Sequence, residues 1–316
     1  MDEINYLSFL ITWNCNSRCN MCSIWKKDNN TKQEIDIKKI SNLFSDPYLK
    51  NLKEVVISGG EPFLREDLLK ILKIINKYSN ASIGITTNGL LPDIILSTTR
   101  KALELKMPVS LYVSLDGSNS NVYGSIRGLK NGFSIVTKTL RELSKLKNEF
   151  NQFEVDIGTT ILSQNLKDLL KIRKLVYSIN SGFGFGVRLA ETNELFDNKS
   201  KNFWLDEKQK KYLIKVLNKL KDGSIDFYYN KIIEFICNQK YPHFDCISLK
   251  KSLYVTPEGN ITTCSRFLNT RNLGNISNQK IEDILNKNDV IKNDIKNCDN
   301  CLDPGQWSWM NNKLAI

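Results

Sequence analysis

Seven of the eight cysteines in this 316-residue chain form two groups that are suited to bind metal. The first group is Cys15, Cys19 and Cys22. Three thiolates on one loop can hold three irons of a [4Fe–4S] cluster and leave the fourth iron open to a small molecule. A zinc site would need a fourth ligand, and none lies nearby in the sequence. The second group is Cys246, Cys264, Cys298 and Cys301. Four thiolates can close a [4Fe–4S] cluster completely or hold one Zn²⁺.

The bulk composition narrows the class of protein. The net charge is +11, from 45 Lys and Arg against 34 Asp and Glu. Because no Arg-rich patch is interleaved with aromatic residues, we do not expect nucleic acid as a partner. No apolar run approaches the roughly 20 residues that cross a bilayer, and no export signal is visible. We therefore expect a cytoplasmic protein that binds no membrane, in which cysteines act as metal ligands and not in disulfides.

The elements that must position the first cysteine group alternate between strand and helix. Six apolar segments predict strands: Tyr6–Trp13, Glu54–Ser58, Ser82–Thr87, Val109–Asp116, Glu154–Leu162 and Phe183–Leu189. Amphipathic segments between them predict helices: Ile35–Leu43, Asp67–Tyr78, Pro92–Leu105, Phe133–Leu146 and Leu166–Ser178. Strict alternation predicts a parallel α/β sheet, and six units are too few for a closed eight-stranded barrel. We expect a partial barrel over residues 1–200 and a helical connector over 201–245, followed by a small module over 246–316.

The small module shows its own pattern. Residues 252–264 predict a hairpin around the turn Pro257-Glu258-Gly259-Asn260, and a helix is expected over residues 281–295. The hairpin lies between two cysteines of the second group, and the helix precedes the last pair. One metal centre held by all four cysteines is therefore the expected arrangement.

Motifs at the ends of the predicted strands occur in a recognisable order. They are Cys15–Cys22 with apolar Met21, Gly59-Gly60-Glu61-Pro62, Thr86-Thr87-Asn88-Gly89, Ser114-Leu115-Asp116-Gly117 and Ile126-Arg127-Gly128. With these motifs the sequence resembles the radical S-adenosylmethionine (SAM) superfamily over about residues 6–190. The resemblance implies a (β/α)6 TIM-type partial barrel that binds a [4Fe–4S] cluster through the first three cysteines. It also implies SAM-binding residues, which are Met21, Gly59, Gly60, Glu61, Pro62, Thr87, Asn88, Ser114, Asp116 and Arg127.

The resemblance assigns particular roles to some of these residues. Two glycines let a backbone approach a ligand closely, and Glu61 can pair with an ammonium group, which by resemblance is that of SAM. Ser114 and Asp116 are expected to hold the ribose or methionine portion, and Arg127 to pair with the SAM carboxylate. The cofactors would supply the reactive species, a 5′-deoxyadenosyl radical that removes a hydrogen atom from the substrate.

The second cysteine group resembles a twitch or SPASM module with one auxiliary [4Fe–4S] cluster. Residues 256–260 and 273–276 are similar to two elements of that module, although the later cysteines of a full SPASM module are missing. Closed ligation implies an electron relay, and a flavodoxin- or ferredoxin-type protein is the expected reductant. Zinc at this site remains an alternative. Cys237 could return a hydrogen atom to a substrate radical, but a lone cysteine in an apolar segment is more often a core residue.

Three functions compete at this point. The favoured one is dehydrogenation or epimerisation of a sugar, aminocyclitol or aminoglycoside. The second is modification of a peptide, as in maturases of ribosomally made peptides. Many of these begin with a leader-binding module, whereas the first strand here starts near residue 6, which favours the small molecule slightly. The third, from another class, is a zinc-containing nucleic-acid-binding protein, which would leave the Gly59–Pro62, Ser114–Gly117 and Arg127 series unexplained.

Overall fold

A single sheet runs through both cysteine-bearing parts of the chain in the computed structural model, which describes residues 4–27, 33–223, 225–241, 246–287 and 301–302. Its strands within these ranges are β1 (Tyr6–Thr12), β2 (Glu54–Gly59), β3 (Ser82–Thr87), β4 (Val109–Ser114), β5 (Glu154–Ile161), β6 (Gly184–Leu189), β7 (Ser252–Val255), β8 (Asn260–Thr262) and β9 (Asn272–Asn275). The order is β6-β5-β4-β3-β2-β1-β7-β8-β9. Strands β1 to β6 pair in parallel, β7 joins β1 in parallel, and β8 and β9 continue antiparallel.

Helices cover the outer face of the sheet. They are α1 (Ile37–Phe44), α2 (Leu68–Tyr78), α3 (Pro92–Glu104), α4 (Ser120–Arg127), α5 (Gly132–Glu149), α6 (Leu169–Ile179), α7 (Glu207–Leu220), α8 (Asp226–Asn238) and α9 (Ile281–Lys287). In α2 the buried residues Leu68, Ile71, Leu72 and Ile75 form one apolar stripe with helical spacing. The α7 helix begins with a capping box between Asp206 and Gln209. No helix in the described ranges is long and apolar enough to cross a membrane.

The two faces of the central strands differ in chemistry because side chains alternate along a strand. On the outer face Leu111, Val113 and Ile157 are fully buried. On the inner face Tyr112 and Asp156 are only partly buried. The concave side of the sheet is therefore a polar space and not a packed core.

The predicted α/β partial barrel is confirmed, and the predicted strand bounds agree with the structure within two residues. Three features were not predicted: α4, β9 and the pairing of β7 with β1, which makes the small module an extension of the core sheet. The last predicted helix begins at Ile281 as expected, and its residues beyond Lys287 lie outside the described ranges.

Candidate active site and iron–sulfur ligands

A cavity of about 330 Å³ opens where the parallel strands end. It brings together ten residues that the sequence singled out: Cys15, Cys19, Met21, Cys22, Gly59, Gly60, Thr87, Asn88, Ser114 and Arg127. Its volume lies at the lower end of the range for small-molecule sites. Three other predicted residues, Glu61, Pro62 and Asp116, are buried but do not line this cavity.

The loop that carries the first cysteines crosses directly over Gly59 and Gly60. The amide of Gly60 donates to the carbonyl of Thr12 at 2.7 Å, and the amide of Glu61 donates to the carbonyl of Asn14 at 2.6 Å. A Cβ atom at residue 59 would lie 2.2 Å from the Thr12 oxygen, and one at residue 60 would lie 2.0 Å from the Asn14 oxygen. Gly59 also has a φ of 134°, which favours glycine. The two glycines therefore let the cysteine loop dock on β2, a role that the sequence analysis had assigned to ligand approach.

The three cysteines face the cavity in a dry environment. Burial raises the pKa of Cys15 to about 11 and that of Cys22 to about 12. The Cys19 sulfur lies 3.1 Å from the Ser17 hydroxyl, and Arg127 Nη1 donates to it at 3.4 Å. Both contacts can stabilise a Cys19 sulfur that is bound to a metal.

The donor set fits an iron–sulfur cluster better than one metal ion. In the described ranges, no three Cys, His, Asp or Glu side chains converge on a point where a single ion would bind. Two thiolates on one Zn²⁺ would be about 3.8 Å apart, because each Zn–S bond is about 2.3 Å long. Cysteines that hold a cube bind different irons and stand further apart. Three cysteines on one cavity wall could therefore hold three irons of a cube, and the fourth iron would have no protein ligand.

Glu61 is fully buried and ties β2 to β3. Its carboxylate accepts hydrogen bonds from the Thr87 hydroxyl at 2.8 Å, the Asn88 amide at 2.7 Å and the Phe63 amide at 3.2 Å. Burial raises the pKa of Glu61 to about 7 in spite of these donors. The carboxylate thus fixes the end of β3, where Asn88 lies 3.9 Å from the Cys15 sulfur. Its pairing with a SAM ammonium group stays a prediction.

Asp116 and Arg127 form a buried ion pair behind the cavity wall. Arg127 Nε donates to Asp116 Oδ2 at 2.5 Å, and the amide of Thr160 donates to Asp116 Oδ1 at 2.7 Å. Asp116 therefore orients the guanidinium that reaches the cavity. Asn165 was not predicted from the sequence. Its side-chain nitrogen Nδ2 donates to the carbonyls of Asp116 and Thr160 at 3.0 and 2.8 Å. Its position shortly after β5 carried no signal of this role.

The end of α4 is hydrogen-bonded to the loop that carries the first cysteines. The amide of Arg18 donates to the carbonyl of Arg127 at 3.1 Å, and the amide of Asn20 donates to that of Ile126 at 2.8 Å. Gly128 ends α4 with a φ of 70°, and a Cβ there would lie 2.6 Å from the Arg18 carbonyl. The Ile126–Gly128 segment therefore holds the cysteine loop from the side opposite Gly59 and Gly60.

Two cysteines of the second group, Cys264 and Cys301, lie next to residues of the same cavity wall. Cys246 precedes β7, Cys264 follows β8, and Cys301 is described together with Leu302. Ser265 and Leu302, the residues directly after Cys264 and Cys301, line the cavity. Cys298 falls outside the described residues.

Contacts of Leu302 and Arg266 join this module to the core wall. The amide of Leu302 donates to Glu191 Oε1 at 3.1 Å, and its carbonyl accepts from the Tyr228 hydroxyl at 3.0 Å. Arg266 Nη2 lies 3.9 Å from Glu191 Oε2 and close enough to Cys301 for the two charges to interact. Glu191 thus links both modules, which its sequence context did not indicate.

Cys237 is exposed on α8 and is not among the cavity-lining residues. The structure does not bring it together with the predicted cofactor-binding residues. Its role as a hydrogen-atom donor stays a prediction.

Comparison with known proteins agrees with this two-part site. The radical SAM superfamily model matches residues 9–176, and the SPASM model, an iron–sulfur cluster-binding domain, matches residues 246–302. Together these domains imply a SAM-binding [4Fe–4S] cluster and auxiliary iron–sulfur ligation as the cofactors.

Two curated relatives align over most of the chain. The antilisterial bacteriocin subtilosin biosynthesis protein AlbA of Bacillus subtilis (strain 168) is 25% identical over 294 residues, 89% of this chain and 59% of AlbA. A GTP 3′,8-cyclase of Aliarcobacter butzleri (strain RM4018) is 27% identical over 312 residues, 93% of this chain and 90% of the cyclase.

Two solved structures share the fold. Streptococcus suis SuiB bound to precursor peptide SuiA has a TM-score of 0.67 at 15% identity, over 90% of this chain and 65% of SuiB. Native anSMEcpe with bound AdoMet and Kp18Cys peptide has a TM-score of 0.66 at 19% identity, over 96% of this chain and 88% of that one. The chain thus spans about two thirds or less of the length of AlbA and SuiB. With its core matched from residue 9 to 176, the chain belongs to the radical SAM superfamily and carries a SPASM iron–sulfur domain.

Proposed function

We propose that this chain is a radical SAM enzyme that modifies a peptide substrate. The observation that carries the proposal is that two residues of the SPASM domain, Ser265 and Leu302, form part of the wall of the cavity that the first three cysteines line. Similarity to AlbA and to two peptide-bound structures, SuiB and anSMEcpe, extends over both domains and supports a peptide over the sugar or aminocyclitol that the sequence alone favoured.

The residues of the cavity have separate tasks in this proposal. Cys15, Cys19 and Cys22 would hold the first cluster, and the residues around them would bind SAM. When bound, this cofactor pair supplies a 5′-deoxyadenosyl radical that takes a hydrogen atom from the substrate. Asp116 keeps Arg127 aimed at the cavity, where a guanidinium suits a carboxylate.

The second cysteine group holds an auxiliary cluster in this proposal. Its ligands are Cys246, Cys264, Cys298 and Cys301. Cys264 and Cys301 directly precede two residues of the cavity wall, and a cluster held there would supply electron transfer close to a substrate in the cavity. A flavodoxin- or ferredoxin-type protein is the proposed external reductant.

Iron content and SAM cleavage test the cofactor assignment. The protein would be purified and reconstituted anaerobically, and we expect about eight irons per chain for two [4Fe–4S] clusters. A Cys15→Ala, Cys19→Ala, Cys22→Ala variant should lose about half of the iron and all 5′-deoxyadenosine formation. A Cys264→Ala variant should keep 5′-deoxyadenosine formation. Loss of no iron in the triple variant would contradict the assignment.

Substrate class is tested on the same preparation with three kinds of molecule. A library of short peptides would be screened by mass spectrometry for loss of two hydrogen atoms, or for one deuterium gained from D₂O on epimerisation. GTP is included because the relatives include GTP 3′,8-cyclases. The aminocyclitol 2-deoxystreptamine represents the alternative from the sequence analysis. Turnover of GTP or of the aminocyclitol with no change in any peptide would refute peptide modification.

A further inference from the structure

The concave face of the sheet holds an acidic side chain that the proposed cofactor roles leave unused. Asp156 lies on the inner face of β5, paired in register with Tyr112 of β4 and Gly184 of β6, and it lines the cavity. No hydrogen bond or ion pair reaches its carboxylate from the described residues. Lys147 acts on it electrostatically, but the ammonium group of Lys147 is paired with Glu154 at 2.7 Å.

Other cations of the cavity wall are also engaged elsewhere. Arg127 is paired with Asp116, and the guanidinium of Arg188 lies over the ring of Phe196 at 5.1 Å. Asp156 is therefore a partly buried carboxylate that forms no direct ion pair with any cation in the described ranges. Burial raises its pKa to about 6, so it is mostly ionised at neutral pH in a setting that disfavours the charge.

Glycines make room for this carboxylate and for the neighbouring Tyr112 ring. A Cβ at residue 184 would lie 1.8 Å from Asp156 Oδ1, and one at residue 84 would lie 2.4 Å from Tyr112 Cε2. Gly158 is the next inward-facing residue of β5, and a Cβ there would meet nothing within 4 Å. Asp156 thus lies at the bottom of an open shaft, two residues or about 7 Å below the level of Gly158.

Three tyrosines are among the residues that line the same cavity. Tyr6 of β1, Tyr112 of β4 and Tyr254 of β7 line the cavity from three different strands. A carboxylate with aromatic neighbours attracts cations, through charge-assisted hydrogen bonds and through the faces of the rings. The depth of the shaft is close to the length of an extended lysine side chain.

We propose that Asp156 binds a primary ammonium group of the substrate, so that the enzyme selects lysine in its peptide. This specificity rests on the proposed function for its peptide source, while the ammonium site itself does not. An aminocyclitol carries the same ammonium chemistry, and the experiment separates the two sources.

Binding of short probes to the SAM-loaded, reconstituted enzyme tests the site. The probes are acetyl-Gly-Lys-Gly-amide, its norleucine counterpart, which lacks the ammonium, and 2-deoxystreptamine. Dissociation constants would be measured by anaerobic titration calorimetry or ligand-observed NMR. We expect the wild type to bind the lysine peptide more tightly than the norleucine peptide by on the order of tenfold, as one charge-assisted hydrogen bond implies.

Three variants locate the effect. Asp156→Asn should reduce the preference to about twofold or less, with iron content unchanged as a control for folding. Glu154→Gln, which removes the same charge two residues away on the same strand, should keep the preference. Gly158→Val places a branched side chain in the shaft above an intact Asp156 and should weaken lysine-peptide binding.

The outcomes separate the two proposals. Equal binding of both peptides to the wild type, or a preference that survives Asp156→Asn, would overturn the ammonium site and leave peptide modification standing. Binding of 2-deoxystreptamine that depends on Asp156, with neither peptide bound, would keep the site and overturn its peptide source. No saturable binding of any ammonium probe to the wild type would also overturn the site.

Discussion

Gly60→Ala should prevent the first cysteine loop from binding iron. A Cβ at residue 60 would lie 2.0 Å from the carbonyl oxygen of Asn14 and 2.5 Å from its carbonyl carbon. Because such contacts are essentially never shorter than 3.0 Å, the Asn14 carbonyl would have to move by about 1 Å. Asn14 directly precedes Cys15, so the shift would displace a cluster ligand.

The cost has two parts. The hydrogen bond from the Glu61 amide to Asn14 would break, which costs about 1 kcal/mol, and the overpacked backbone adds about 1–3 kcal/mol. We expect the free energy of unfolding of the metal-free protein to fall by about 2–4 kcal/mol. Gly124→Ala is the matched control, because a Cβ there would lie 3.4 Å from its nearest neighbour and within helix α4. It should stabilise the protein by up to about 1 kcal/mol.

The assays are urea unfolding of the metal-free proteins, and iron content and 5′-deoxyadenosine formation after reconstitution. We expect Gly60→Ala to lose about half of the iron and nearly all SAM cleavage, while Gly124→Ala keeps both. Wild-type iron content and SAM cleavage in Gly60→Ala would refute the docking role of this glycine.

Further predictions concern charge and burial. Asp116→Asn should lower the free energy of unfolding by about 3–5 kcal/mol in urea titrations, because its buried arginine partner would lose its countercharge; an effect below about 1 kcal/mol would contradict this. The pKa of Asp156 is about 6 in the folded protein, whereas its ordinary value is 3.8. The folded state therefore binds the carboxyl proton more tightly than the unfolded state does, and the free energy of unfolding falls as pH rises from about 4 to 6. Asp156→Asn should therefore stabilise the metal-free protein by about 1–3 kcal/mol at pH 8 and by clearly less at pH 4.5, whereas a gain independent of pH would refute the cause. Burial raises the pKa of Cys15 to about 11 and that of Cys22 to about 12. In the metal-free protein at pH 8, iodoacetamide should therefore label exposed Cys237 at least about tenfold faster than either of them. Peptide mass spectrometry would follow the labelling, and equal rates would contradict the prediction.

Regular patterns made much of the fold predictable. Strands β1 to β6 were found because each has an apolar outer face of period two and ends near a turn or motif. Helix α4 was missed because Ser120–Arg127 is short, contains Gly124 and is held by contacts with the cysteine loop that local sequence does not encode. Strand β9 was missed because Asn272–Asn275 contains Gly274 and gains its structure from pairing with β8.

The site was predictable where ligands are close in sequence. Three cysteines on one loop indicate a cluster by spacing alone, whereas Asp156, Asn165 and Glu191 acquire their meaning only from tertiary neighbours. A signal for Asp156 did exist. On β5 the polar or small residues Glu154, Asp156, Gly158 and Thr160 alternate with buried ones, which is unusual for a strand expected to be covered on both sides.

The parallel pairing of β1 with β7 constrains the order in which this protein can fold during synthesis on the ribosome. Tyr6 pairs with Ser252, so β1 cannot pair with β7 until about 250 more residues have been synthesised. At 5–20 residues per second this synthesis takes about 12–50 s. Until then an apolar strand beside the first cysteine loop has an open edge that can join other chains. We expect nascent chains that stall before β7 to need chaperone protection, and the completed sheet to form only after β7 has emerged.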